Sequence, residues 1–257
     1  MLETQDLTIR FGGHVAVNAV SCAFAPGTLT AIVGPNGAGK TTYFNLISGQ
    51  LKASSGSVHL NGRELGGLPA AERARAGLGR AFQLTNLFPK LPVLENVRLA
   101  VQAMRPGAHR RGLNLWSIWS DHRQLTARAE DILRTVALWE RRDDAAASLP
   151  HGDQRKLEVA LLMALEPQVY MFDEPTAGMG HDEAPVILNL IRELKKDKSK
   201  TILLVEHKMD VVRELADRII VLTNGQLVAD GEPAEVIASP VVQQAYLGVG
   251  ADGEEAA

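Results

Sequence analysis

The stretch GPNGAGKT, residues 34 to 41, restricts this chain more than any other. It follows the β-branched run LTAIV and precedes TTYFNLISG, whose spacing is helical and whose closing glycine suits a helix C-cap. A strand, a glycine-rich turn and a helix form the setting in which G-x-x-x-x-G-K-[ST] has a mechanism. Glycines let the backbone curl until its N–H groups face one anion. The helix start adds the positive end of its dipole. Lys40 then reaches the β and γ phosphates of a nucleotide, Thr41 offers its hydroxyl to Mg²⁺, and Thr42 can touch the α phosphate. Gly34, Pro35, Asn36, Gly37, Ala38 and Gly39 complete the cradle.

The rest of the chain fits around such a loop. LTIRF, HVAVNAV and LTAIV are short runs separated by Gly-Gly and Pro-Gly, and SVHLNGREL reads as a hairpin around Asn61-Gly62. Residues 93 to 147 change character: they look helical, hold Trp116, Trp119 and Trp139, and are broken by the polar RPGAHRRG. Large aromatics dominate small cores, so the tryptophans are expected inside a helical subdomain. Beyond it, the helix DQRKLEVALLMAL and the buried strand QVYMFDEP lead to a helix over 182 to 196. TILLVEH, MDVVRELA, RIIVLTNG and QLVADG then alternate strand and helix before a last strand. The pattern predicts an α/β fold: a P-loop NTPase core with a parallel sheet, an N-terminal antiparallel β subdomain and a helical subdomain. The expected divisions are 1–92 and 153–248 for the two parts of the core, 93–152 for the helical subdomain and 249–257 for a polar, frayed tail.

Composition removes other classes. With 27 basic against 30 acidic residues and a net charge of −3, the chain lacks the basic excess of a dedicated nucleic-acid binder. The single cysteine, Cys22, excludes an internal disulfide and reads as a small core residue in a reducing compartment. MLETQDLTIRF has no basic region followed by an apolar one, so no signal peptide is expected there, and the apolar run VALLMAL falls far short of the ~20 residues of a membrane helix.

A second group of candidates closes YMFDE. A buried strand would deliver Asp173 to the sheet edge, where it can hold the Mg²⁺ shell, and Glu174 follows at once to polarise an attacking water. Adjacent acids at a strand end can equally be a solvated turn. Behind a buried strand and beside a phosphate loop, the catalytic reading is the stronger one.

The order of the remaining segments resembles the ATPase subunits of ATP-binding-cassette transporters over nearly the whole length. Phe11, before Gly12-Gly13, matches the aromatic that stacks on adenine in that family, although an apolar strand residue can also be core. Gln83 in RAFQLTNLFP matches the glutamine that contacts Mg²⁺ or the lytic water and faces the membrane partner. EPTAG opens the D-loop, and His207 in LLVEHKM matches the γ-phosphate-sensing switch histidine. FGGHVAV, PNGAGKTTYFNLISG, GRAFQLTNLFPKLPVLENV, PVVQQAYLG and the insert from about Arg105 to Thr126 are most similar to branched-chain (hydrophobic) amino-acid importer ATPases. Urea or amide importers and lipopolysaccharide-exporting ATPases resemble the chain as well, and a non-transport regulator or ATP-binding module is the rival of another class. The resemblance implies ATP and Mg²⁺ as ligands, and a peripheral position on the cytoplasmic face of the inner membrane. It implies a second such ATPase, membrane permease subunits and an extracytoplasmic substrate-binding protein as partners. Leu84, Leu87, Phe88 and Leu91 either receive a permease helix or pack inside the subdomain.

One segment departs from the family. Leu149, Pro150, His151, Gly152, Asp153 and Gln154 stand where Leu-Ser-Gly-Gly-Gln is usual, at the signature that completes the partner's ATP site. Pro150 carries no hydroxyl for the γ phosphate, and Asp153 adds charge unless it binds ribose or caps a helix. Near a helix start the missing N–H of Pro150 is tolerated, Gly152 keeps one close backbone approach, and the following helix supplies its dipole. Proline and an aromatic are frequent here in amino-acid importer ATPases, so the segment reads as a working variant. Gly180, where the family often has an acidic or amide residue, leaves the D-loop contribution open.

Overall fold

A computed structural model describes residues 1–81, 88–103, 118–180, 183–240 and 242–243, without the side chains of 118–122. Strands β1 (Leu2–Phe11) and β2 (His14–Phe24) form a hairpin, and β3 (Leu29–Val33) runs into helix α1 (Lys40–Ser48). The chain then returns to the first hairpin as β4 (Ser55–Leu60) and β5 (Arg63–Glu64), giving an antiparallel sheet of order β2-β1-β4-β5. The hairpin expected at Asn61-Gly62 is present, with both residues at positive φ as a two-residue turn requires. Helix α2 (Ala70–Arg75) leads to β6 (Leu78–Ala81), two short elements that the sequence pattern did not announce.

Helices α3 (Val93–Ala103), α4 (Ile118–Thr135) and α5 (His151–Ala164) follow, with 3₁₀ turns at Trp139–Arg141 and Ala146–Ser148. The remaining elements are β7 (Val169–Asp173), α6 (Ala184–Lys195), β8 (Thr201–Val205), α7 (Met209–Leu215), β9 (Arg218–Thr223), β10 (Gln226–Gly231) and α8 (Pro233–Ala238). The main sheet has the order β10-β9-β3-β8-β7-β6, and its five strands from β9 to β6 are parallel. The expected parallel sheet is present, and β10 adds an edge strand to it that pairs antiparallel with β9. Only Asn224 and Gly225 separate those two strands, too few residues for the crossover that a parallel pair needs.

Period-two alternation assigns the two faces of this sheet. Val169, Met171, Leu203, Val205, Ile220 and Leu222 join Phe44, Ile47 and the antiparallel sheet in one core. Tyr170, Phe172, Ile202 and Leu204 point the other way, onto α3 to α6. Both faces are covered, which is why the parallel strands read as continuous apolar runs. Cys22 is buried in the first core, and burial pushes its thiol pKa up, as an unreactive core residue requires.

Trp139 departs from its expected place in the subdomain core. It is half-buried, with the Arg134 and Arg142 guanidiniums 4.2 and 4.3 Å from its ring centroid. Its partners there are cation–π contacts rather than the apolar core. Trp116, the Trp119 side chain, Leu84, Leu87, the RPGAHRRG break, most of PVVQQAYLG and the 249–257 tail lie outside the described residues. Phe88 is exposed and Leu91 half-buried. No helix among the described residues is long and apolar enough to cross a membrane.

Candidate active site

The turn between β3 and α1 owes its shape to close backbone approaches. A Cβ at Gly34 would lie 2.1 Å from the Leu222 carbonyl oxygen, and one at Gly39 would lie 2.5 Å from that of Ala16. Both residues also have positive φ, so side chains are excluded twice over. The loop therefore sits tightly on β9 and β2, and α1 starts at Lys40 with its free N–H groups at the loop. Lys40 is buried, and its Nζ donates to the carbonyls of Gly34 (2.7 Å) and Pro35 (2.9 Å). Burial lowers its pKa, while Glu174 and Asp173 act in the opposite direction.

A cleft of about 380 Å³ opens over this turn. Asn36, Gly37, Ala38, Gly39, Lys40, Thr41 and Thr42 line it from the loop side, Phe11 from the hairpin, and Glu174 and His207 from the sheet edge. Phe11 is 50% exposed, which decides its position between core and surface in favour of the surface. His14, opposite Phe11 in the β1–β2 register, and Ala16 also line the cleft. Sequence reasoning had not singled them out, though both lie in the FGGHVAV segment.

The acids leave β7 at its C-terminal end, where parallel sheets place their ligands. Glu174 has φ 49, a left-handed conformation that a non-glycine side chain rarely adopts. Its N–H donates to the Val205 carbonyl (2.9 Å), which ties the strained residue to β8. β8 then delivers His207, whose Nε2 lies 2.7 Å from Glu174 Oε1. Buried Glu206 fixes this corner: Oε1 accepts from the N–H groups of His207 (3.1 Å) and Lys208 (3.2 Å), and Oε2 from the Thr176 hydroxyl (3.5 Å).

Asp173 is turned differently. Its Oδ2 accepts from Arg80 Nη2 at 2.7 Å, with the two side chains 9% and 6% exposed. Burial lowers the Arg80 pKa and the Asp173 carboxylate opposes that shift. Arg80 escaped the sequence reading, yet a signal existed: a lone arginine inside the short buried strand LGRA requires a partner. Gln83 lies outside the described residues.

The signature segment does not join the cleft. Pro150 caps α5 without a side-chain hydrogen bond, Gly152 is buried in the first turn, and Gln154 Nε2 donates to the Leu149 carbonyl (2.9 Å). A Cβ on Gly152 would fall 2.1 Å from Glu183 Oε1, and Glu183 Oε2 accepts from the Gly180 N–H at 3.1 Å. His151 is exposed and lies against Gly178. Asp153 makes no helix cap; it is bound by Arg141 Nε (2.9 Å) and Lys156 Nζ (2.8 Å), which compensate its charge.

Comparison with known proteins matches this geometry. The family profile described as ABC transporter fits residues 17–177, and one described as branched-chain amino acid ATP-binding cassette transporter fits residues 226–252. The chain is 38% identical over 249 residues to the high-affinity branched-chain amino acid transport ATP-binding protein LivG of Escherichia coli (strain K12), covering 96% of this chain and 98% of LivG. It is 36% identical to the corresponding protein BraF of Pseudomonas aeruginosa, with the same coverage. Among solved structures, a nucleotide-free ATP-binding cassette from an ABC transporter superposes with a TM-score of 0.79 at 30% identity, covering 96% of this chain and 98% of that one. A dimeric cassette bound to ADP and Pi gives 0.76 at 25%, covering 91% and 99%. With the profile spanning the phosphate loop and both acids, and relatives aligned from end to end, this chain belongs to the ABC transporter family of ATP-binding cassettes.

Proposed function

We propose that this chain is the ATP-hydrolysing subunit of an importer for branched-chain or other hydrophobic amino acids. The observation that carries the chemistry is the Glu174–His207 pair, 2.7 Å apart, in the same cleft as Lys40 and the loop N–H groups. The observation that carries the transport class is identity of 36–39% to LivG and BraF proteins over 96% of the chain.

In this reading the loop backbone, Lys40 and the start of α1 bind the nucleotide phosphates, and Phe11 stacks on the base. Glu174 Oε1 or Oε2 takes a proton from water as the water oxygen bonds to the γ phosphorus, and the bond to the ADP oxygen breaks. His207 Nε2 holds the carboxylate in place and lies beside the γ phosphate. Asp173 and Thr41 offer oxygen ligands only, the set that suits Mg²⁺. Bound there, Mg²⁺ would neutralise charge on the phosphates. Gln83 would complete this shell and report it to the membrane partner.

The signature at α5 sits away from its own cleft, which supports use in trans: two cassettes face each other, and Leu149 to Gln154 of one close the ATP site of the other. Permease subunits would bind near Gln83 and the exposed Phe88 on the cytoplasmic face, and an external binding protein would deliver the amino acid to the permeases. The test is gentle purification from the native membrane followed by ATPase assay in liposomes. Co-elution of permeases and stimulation by a binding protein loaded with leucine or valine are expected. Co-elution of a lipid-exporting membrane protein would overturn the transport class.

A further inference from the structure

We propose that Arg80 is a positioning residue for the metal-holding carboxylate, a role that rests on the reading of Asp173 given above. The Arg80 guanidinium is a fork with one prong on each half of the site. Nη2 donates to Asp173 Oδ2 (2.7 Å) at the end of β7. Nη1 donates to Asn45 Oδ1 (2.7 Å) and Ser48 Oγ (2.9 Å) on α1, the helix whose first turn holds Lys40 and Thr41. The guanidinium carbon also lies over the Phe44 ring of α1, 5.4 Å from its centroid. One side chain thus fixes the distance between the strand that supplies the carboxylate and the helix that supplies the hydroxyl.

Stability is a weak reason for this arrangement. Replacing a buried ion pair with apolar residues of similar volume is often neutral or favourable. Orientation is a better reason. The bond pins Oδ2, and Oδ1 has no partner among the described residues, so one carboxylate oxygen is left to a ligand while the other is fixed. Outer partners of metal ligands act in this way, and their loss typically weakens metal binding by about 10- to 100-fold. Lysine could supply the charge, but it lacks the planar fork that bonds Asp173 and Asn45 together.

The experiment measures how strongly Mn²⁺, standing in for Mg²⁺, tightens binding of a non-hydrolysable ATP analogue to the full chain. Affinity is compared with and without the metal, and thermal unfolding is followed for every variant. Arg80→Gln is expected to reduce the tightening factor about tenfold or more while leaving metal-free binding unchanged. Arg80→Lys, which carries the test if Arg80→Gln does not fold, is expected to lose it severalfold. A factor within twofold of wild type in either folded variant, with the factor lost in Asp173→Asn, overturns the role of Arg80 alone. A factor retained in Asp173→Asn overturns the reading of Asp173, and the inference with it. A parallel fall in metal-free binding would assign Arg80 a purely structural function and overturn the proposal.

Discussion

Glu174 and His207 come from the ends of neighbouring parallel strands, and their side chains meet at 2.7 Å between Oε1 and Nε2. Glu174 reaches this position only by adopting φ 49. Strain of that kind costs on the order of 1–3 kcal/mol and persists where the surroundings enforce it. Here the enforcing contacts are the bond from the Glu174 N–H to Val205 and the acceptor that Glu206 provides below His207. With the backbone turned in this way, the Glu174 carboxylate lines the cleft beside His207.

Glu174→Gln keeps the shape and an acceptor for His207 but cannot take a proton. Hydrolysis is expected to fall by roughly 10²- to 10⁴-fold, the usual contribution of a general base. ATP affinity should stay within a few-fold of wild type, because Lys40 and the loop amides are untouched. Single-turnover hydrolysis together with nucleotide binding checks both parts, and unchanged turnover would remove Glu174 as the base.

Glu206 separates orientation from chemistry. It is buried, lies outside the cleft lining and accepts from two backbone N–H groups around His207. Glu206→Ala leaves both donors without that acceptor, at about 1–3 kcal/mol for a buried group. A melting temperature lower by several degrees is expected for a chain of this size, along with a lower kcat. Glu206→Gln preserves a carbonyl acceptor and should restore most of both. Calorimetry beside steady-state kinetics distinguishes this from a neutral position, at which neither value would move.

Phe11 is half exposed at the tip of the first hairpin, so its removal should not disturb folding. If its ring stacks on the base, Phe11→Ala loses about 1–3 kcal/mol of stacking. The expected result is a KM for ATP raised roughly tenfold, with kcat and melting temperature unchanged, and recovery in Phe11→Tyr. An unaltered KM would place the base elsewhere in the cleft.

The elements legible beforehand were those in which local pattern and tertiary context agree. LTAIV, VYMFD and TILLV are buried on both faces and read as strands without help, and GPNGAGKT fixes its own strand–turn–helix setting. What escaped depends on contacts distant in sequence. Arg80 is intelligible only once β6 lies beside β7 and brings Asp173 within reach. Asp153 looked like a helix cap or a liability, because Arg141, twelve residues earlier, gives no sign in the sequence of turning back to meet it. The bulk of Trp139 suggests a core position, whereas in the fold it is half-buried with two arginines on its ring.

The signature yields the sharpest contrast between two neighbouring positions. Pro150 sits at the N-cap of α5, where its missing N–H costs nothing and no side-chain cap is made. Pro150→Ser should therefore leave hydrolysis intact or raise it by supplying a hydroxyl. Gly152 is in the first turn, and a Cβ there would meet the Glu183 carboxylate at 2.1 Å. That carboxylate is the end of a flexible side chain, bonded among the described residues only to the Gly180 N–H in an exposed contact, so it can swing away and Gly152→Ala should fold with little loss of melting temperature. A phosphate presented by a partner cassette has no such freedom to retreat from the helix start. Hydrolysis by Gly152→Ala is expected to fall at least tenfold, a loss of about 1.4 kcal/mol or more in transition-state binding, and Gly152→Leu should abolish it. In a mixed dimer with Glu174→Gln, one wild-type signature facing one intact cleft should restore a single working site. Full activity of folded Gly152→Leu would show that α5 does not present its N-terminus to nucleotide at all.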